Sequence, residues 1–161
     1  MNSKYVYEIE GYGMVRVIVD WETEEVLFCA RDIAKALGYK EPGRVANDRC
    51  LRVVKKKHYS PSGMQTLNFI SKTEINRLVM SDFNVIKLYY FHELARISDE
   101  SIAKTRKEIE NLIVKDFSET VKMLNRNSYM VEDVILFMPN GRMIHITEDG
   151  SIINVPEDAD E

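Results

Sequence analysis

The segment from Ala30 to Val45, reading ARDIAKALGYKEPGRV, restricts the fold more than any other part of the chain. Ala30, Ile33, Ala34 and Leu37 recur at helical spacing and line one face. Asp32 in the first turn suits the positive end of the helix dipole. Gly38 follows as a stop, because glycine enters the left-handed region without a Cβ clash. Pro42 sits where its fixed φ suits a first helical position. Residues 42–51 then read as a second short helix, with Val45, Ala46 and Cys50 facing inward and Arg44, Asn47 and Asp48 outward. A helix, a short glycine-containing turn and a second helix make a helix-turn-helix shape.

Strand signals surround this pair. Residues 5–10 and 14–20 read as a hairpin about Gly11 and Gly13, and residues 26–28 as a third short strand. Residues 51–56 and 65–70 form a basic hairpin, with His58 to Gly63 as its loop by composition. Ser71 and Glu74 make a capping box for a helix over 72–81 that buries Ile75, Leu78 and Val79. A break follows at Asp82 to Asn84. A helix over 85–97 presents Ile86, Tyr89, Tyr90, Leu94 and Ile97. Ser98 or Asp99 caps a further helix over 100–126, with Ile102, Ile109, Leu112, Ile113, Phe117, Val121 and Leu124 as its apolar stripe. Residues 134–138, 143–147 and 151–155, separated by Asn140-Gly141 and Asp149-Gly150, read as a three-stranded meander.

The expected fold is α+β: a small mixed sheet, a helix-turn-helix-like pair with its basic hairpin, a long linker helix and a C-terminal meander. The expected division is a first domain at 1–97 carrying the helix pair and its basic hairpin, an amphipathic linker or oligomerisation helix at 98–127, an acidic meander at 128–155 and an acidic tail at 156–161.

The chain has 161 residues, 45% of them apolar, which is enough for a core. Its net charge of −4 hides a strong asymmetry. Residues 1–30 carry 2 basic and 6 acidic groups, and residues 31–77 carry 11 basic and 4 acidic. Residues 78–127 balance, and residues 128–161 carry 1 basic and 8 acidic. A basic middle between acidic ends points to a polyanionic partner for the middle. The N-terminal residues contain no apolar stretch of the signal-peptide kind, and the apolar runs are too short to span a bilayer. A cytoplasmic protein is expected. Cys29 and Cys50 read as free thiols, although one disulfide is arithmetically open.

The helix pair and its wing can bind double-stranded DNA. Arg44 can give two hydrogen bonds to guanine and Asn47 two to adenine in the major groove. Lys35, Lys40, Arg49, Arg52, Lys55, Lys56, Lys57 and His58 complete the candidate surface, the lysines suiting phosphates. Such a lysine run also reads as a solvated edge that discourages strand pairing.

Residues 15–50, followed by VVKKK at 53–57 and LNFISKTEINRLVM at 67–80, resemble the N-terminal domain of the BRO family, the Bro-N domain. The shared core is Phe28-Cys-Ala-Arg-Asp-Ile-Ala-Lys-Ala-Leu-Gly-Tyr39, with a Pro-initiated helix, a basic strand and Asn68-Phe-Ile-Ser71 after it. The resemblance implies a DNA-binding domain of the kind found in phage antirepressor-like proteins, and a viral or prophage origin. Ser81-Asp-Phe-Asn84 replaces the family's basic loop, and Tyr90-Phe-His-Glu-Leu94 its aromatic pattern.

No catalytic constellation, cofactor site or metal site is expected. His58, His92 and His145 are scattered, and neither cysteine lies in a metal-like spacing. No phosphate-cradling glycine motif is present. The acidic region 128–161 has two readings: it keeps the chain soluble, or it docks on a basic protein partner. The stripe Ile102, Ile109, Ile113, Phe117, Val121 and Leu124 likewise either packs within the chain or pairs it into a homodimer.

Overall fold

The computed structural model describes residues 1–80, 85–127, 129, 132–138 and 141–155. The chain divides into two compact units, Met1–Thr105 and Arg106–Glu161.

The first unit is built on five strands: β1 (Asn2–Ile9), β2 (Gly13–Asp20), β3 (Val26–Cys29), β4 (Val54–Ser60) and β5 (Gly63–Ser71). Their order is β1-β2-β3-β5-β4, and every pairing is antiparallel, so the sheet is not mixed. Period-two alternation gives the sheet two faces. Tyr7, Ile9, Val15, Val17, Val19, Val26, Phe28 and Ile70 point to the helices and form the main core. Ile18, Leu27, Cys29, Leu67 and Phe69 form a smaller cluster on the other face.

The helices on the first face are α1 (Ala30–Ala36), a 3₁₀ turn at Pro42–Arg44, α2 (Val45–Arg49), α3 (Lys72–Met80) and the first part of α4 (Val85–Arg126). The expected helix over 42–51 is therefore a 3₁₀ turn running into a five-residue α-helix. Leu51, expected to open a strand, is exposed outside β4. Residues 82–84 lie outside the described set, as does the tail from residue 156.

The largest departure from expectation is at Ser98 and Asp99. Instead of capping a new helix, they lie inside α4, which runs unbroken for 42 residues. The polar side chains that follow are spent on the sheet. Ser101 Oγ donates to Tyr7 Oη at 2.9 Å, and Thr105 Oγ1 lies 3.0 Å from Tyr5 Oη. Lys104 Nζ sits 4.7 Å from the centre of the Tyr7 ring. Arg96, Glu100 and the same Lys104 form an i, i+4 ladder at 3.0 and 2.9 Å across the expected boundary. Tyr90, Leu94 and Ile97 are buried as expected, whereas Tyr89 is exposed.

In the second unit β6 (Val134–Phe137), β7 (Met143–Ile146) and β8 (Ile152–Val155) form the antiparallel meander, in order β6-β7-β8. Val114 and Val121 of α4 pack with Met138, Ile144 and Ile146. Asp149 bends the turn into β8 by accepting from Thr147 Oγ1 and from Ser151 N–H.

Candidate nucleic-acid interface

The turn between α1 and α2 is held by glycine. Gly38 has φ +83, and its N–H reaches the Lys35 carbonyl at 3.1 Å while Tyr39 N–H reaches Ala34 at 3.0 Å. That double closure reverses the chain within four residues. Arg44 N–H then bonds the Glu41 carbonyl at 3.1 Å, behind Pro42. Val45 and Ala46 sink into the main core and fix the roll of α2, so Asn47, Asp48 and Arg49 remain outside with Arg44.

Arg44, Asp48 and Arg49 share an open cleft with the turn, and Asn47 lies outside its lining. Tyr39, Lys40, Glu41, Arg44, Asp48 and Arg49 line it. Arg44 Nη1 pairs with Glu41 Oε2 at 3.2 Å, both side chains well exposed. The Arg49 guanidinium lies 5.3 Å over the Tyr39 ring. The ring therefore orients a cation while leaving its hydrogen-bond donors directed to solvent. Three cations face two acids here, a mixed cleft rather than a purely basic one. Lys35 stays exposed on α1, outside the cleft lining. Arg52 leans toward Glu25 at 3.7 Å.

The wing is longer and tighter than its composition suggests. β4 and β5 pair from Val54↔Phe69 to Ser60↔Gly63, leaving Pro61 and Ser62 as a two-residue turn. His58, Tyr59 and Ser60 therefore belong to a strand, not to a loop. Gly63 accepts φ +116 at the turn exit, and Ser60 Oγ donates to its carbonyl at 3.0 Å. Alternation divides the lysine run. Lys55, Lys57 and Tyr59 lie opposite Asn68, Thr66 and Met64, on the sheet face that carries the helices. Lys56 and His58 lie opposite Leu67 and Gln65, on the other face.

Tyr59 escapes the sequence reading, although it is 75% exposed beside Lys57. The period-two spacing Lys55, Lys57, Tyr59 was its signal, masked by the loop-like composition of residues 58–63. Glu74 is the other unexpected member. Its carboxylate does not serve the expected capping box. Oε2 accepts Leu51 N–H at 3.1 Å and Oε1 accepts Arg52 N–H at 3.2 Å. Arg77 Nη1 lies 3.7 Å from the same group. The link from α2 to the wing is thus tied to α3.

At the start of α1, Asp32 receives Arg16 in a two-pronged pair, Nε to Oδ2 at 2.8 Å and Nη2 to Oδ1 at 2.7 Å. The same carboxylate accepts Arg16 N–H, tying α1 to β2. Both cysteines are free, Cys29 buried and Cys50 half-buried, and burial pushes both thiols up from their ordinary value. Among the described residues no group of three or more His, Cys, Asp or Glu side chains is placed to hold a metal ion. Nor, among them, is any helix long and apolar enough to cross a membrane.

The six residues of the expected oligomerisation stripe do not share one environment. Ile102 packs against the core of the first unit, and Val121 belongs to the core of the second. Ile109 and Leu124 are half-buried, while Ile113 and Phe117 are exposed.

The BRO family N-terminal domain matches this chain over residues 14–82. That span takes in β2, β3, the helix pair, the wing and α3, and leaves β1 outside. Neither the curated proteins nor the solved structures contain a match to the chain.

Proposed function

Starting from the Bro-N domain that residues 14–82 form, we propose that this is a regulatory DNA-binding protein of viral or prophage type, antirepressor-like and without enzymatic activity. Bro-N domains are typical of phage and viral antirepressor-like DNA-binding proteins and are generally non-catalytic. The observation that carries the reading is the shared face: Lys55, Lys57 and Tyr59 lie on the same side of the sheet as α2. Arg44 and Asn47 then read base edges in the major groove of duplex DNA, while Lys40, Arg49 and the wing lysines meet phosphates. Lys35 and Arg52 add to the field at the margin. DNA binding is assigned to residues 1–97, and the site of action is the host cytoplasm.

Gel-shift titration over several salt concentrations tests this. Replacing Lys55 and Lys57 with Gln weakens binding to every sequence and flattens the salt slope by about 0.9 per lost phosphate contact. Unchanged affinity and slope would return the lysine run to a solvated edge.

The alternative reading, a protein-binding antagonist of a repressor or host defence factor acting through the acidic C-terminal region, is favoured by the second unit. Ile135, Phe137 and Ile153 are exposed on the outer face of the meander, with Phe137 78% exposed. Glu132, Asp133, Glu148 and Asp149 stand exposed in the same small unit. Apolar surface flanked by acids suits a basic, partly apolar partner. In either reading residues 98–127 serve as the linker and pair two copies of the chain, with Ile113 and Phe117 the exposed members of the stripe.

A further inference from the structure

The sheet curls until its two outer strands meet. Three strands separate β1 from β4 in the sheet order, yet Lys4 Nζ of β1 donates to the Lys57 carbonyl of β4 at 3.3 Å. Beside it the Asn2 amide, turned so that both its ends are satisfied, accepts from Lys56 Nζ at 3.2 Å. A concavity on the sheet is lined by Lys4, Arg16 and His58, with Ile18 and Phe69 among its apolar walls. The Arg16 charge is already matched by Asp32. Lys4 and His58 have no carboxylate among the lining residues, and Lys56 is held close by through Asn2. An ammonium has three donors, so Lys4 keeps two after its bond to Lys57. Cations gathered on a partly apolar floor favour an anion more than the same cations spread over solvent.

We propose that this concavity binds a backbone phosphate of the DNA held by the wing. This rests on the DNA-binding reading above and extends it to the opposite face of the sheet. Lys55 and Lys57 meet phosphates on one face, Lys4, Lys56 and His58 on the other. A wing laid along the phosphate backbone, beside the groove that α2 reads, meets phosphates from both of its faces. Lys4 lies outside residues 14–82, so its share of this half of the grip is an addition made by β1 to Lys56 and His58 of the wing.

The test uses the full chain and a fluorescent DNA duplex, with anisotropy titrations over a range of salt. Lys4 is exposed, so Lys4→Gln leaves the core intact. The expected result is an affinity about three- to tenfold lower, with the salt slope reduced by about 0.9. Lys4→Arg should bind as the parent does. Millimolar inorganic phosphate, matched in ionic strength with chloride, should not displace the duplex. If Lys4→Gln equals the parent in affinity and slope while Lys55→Gln/Lys57→Gln is weakened, the concavity plays no part and the proposal fails. If both variants equal the parent, the DNA reading itself fails. If phosphate raises the melting temperature of the parent but not of Lys4→Gln, and DNA affinity is the same for both, the site takes free phosphate and the proposal is overturned.

Discussion

Glu74 holds Leu51 by its backbone: the carboxylate Oε2 accepts the Leu51 N–H at 3.1 Å, from a residue only 4% exposed on α3. With Arg52 N–H on the other oxygen, one buried charge fixes the point where the chain leaves α2 for the wing. Glu74→Gln leaves a single acceptor for two donors. The expected loss is about 1–3 kcal/mol of stability, read from urea unfolding. DNA affinity should fall as well, because the wing is no longer set against α2. Unaltered unfolding would mean that the two N–H groups find other acceptors.

Arg44 and Glu41 form an exposed pair at 3.2 Å, a class worth about 0–1 kcal/mol. Glu41→Gln should therefore leave the melting temperature almost unmoved. It should strengthen DNA binding, by releasing Arg44 and removing a charge that repels phosphate. Arg44→Ala should cost about 1–3 kcal/mol on a preferred sequence and relax choice at one base. Selection of binding sites from random DNA, followed by gel shift, checks both.

Phe117 and Val121 separate pairing of chains from folding of the second unit. Phe117 is 44% exposed, whereas Val121 is buried against the meander. Phe117→Asp should keep the unfolding transition and convert a dimer to a monomer in light scattering at micromolar concentration. Val121→Asp should destabilise the meander by about 3 kcal/mol or more, since it buries an unpaired charge. A parent that is already monomeric would remove the pairing idea.

Asp149 carries a pH signature. The hydroxyl of Thr147, then the N–H and hydroxyl of Ser151, stabilise its charged form and hold its pKa down at about 2. A depressed carboxylate contributes to folding above its unfolded value, near 3.9, and that contribution is lost as pH falls through about 2. A carboxyl-detected NMR titration should place the midpoint there. Thr147→Val should move it upward, and an ordinary midpoint in the parent would contradict the turn geometry.

What the sequence made legible was whatever rests on local rules. Gly38 and Pro42 marked the helix pair, and both lie where the turn needs them. Val45 and Ala46 were recognisable as core positions by spacing alone, as were Asn140-Gly141 and Asp149-Gly150 as breaks between strands, though residue 140 itself lies outside the described set. The failures came where distant partners decide. Ser98 and Asp99 carry a good cap signal, but Ser101 and Thr105 find Tyr7 and Tyr5 about a hundred residues away, and the helix continues. Glu74 fits a capping box by position and serves Leu51 instead. The candidate site was legible as a list of cations. Its division between two faces depended on knowing that residues 58–60 continue a strand.

The contact between Lys4 and Lys57 bears on how this sheet avoids edge-to-edge pairing. β1 and β4 each have a strand neighbour on one side only, and such open edges are templates for pairing with other molecules. Here a lysine of one edge occupies a carbonyl of the other, so each masks part of its counterpart, and the ammonium at the seam opposes any incoming strand of like charge. β6 and β8 end their sheet with short edges of four residues each. The sheet that carries the basic wing is thereby also the one whose margins are guarded against strand addition.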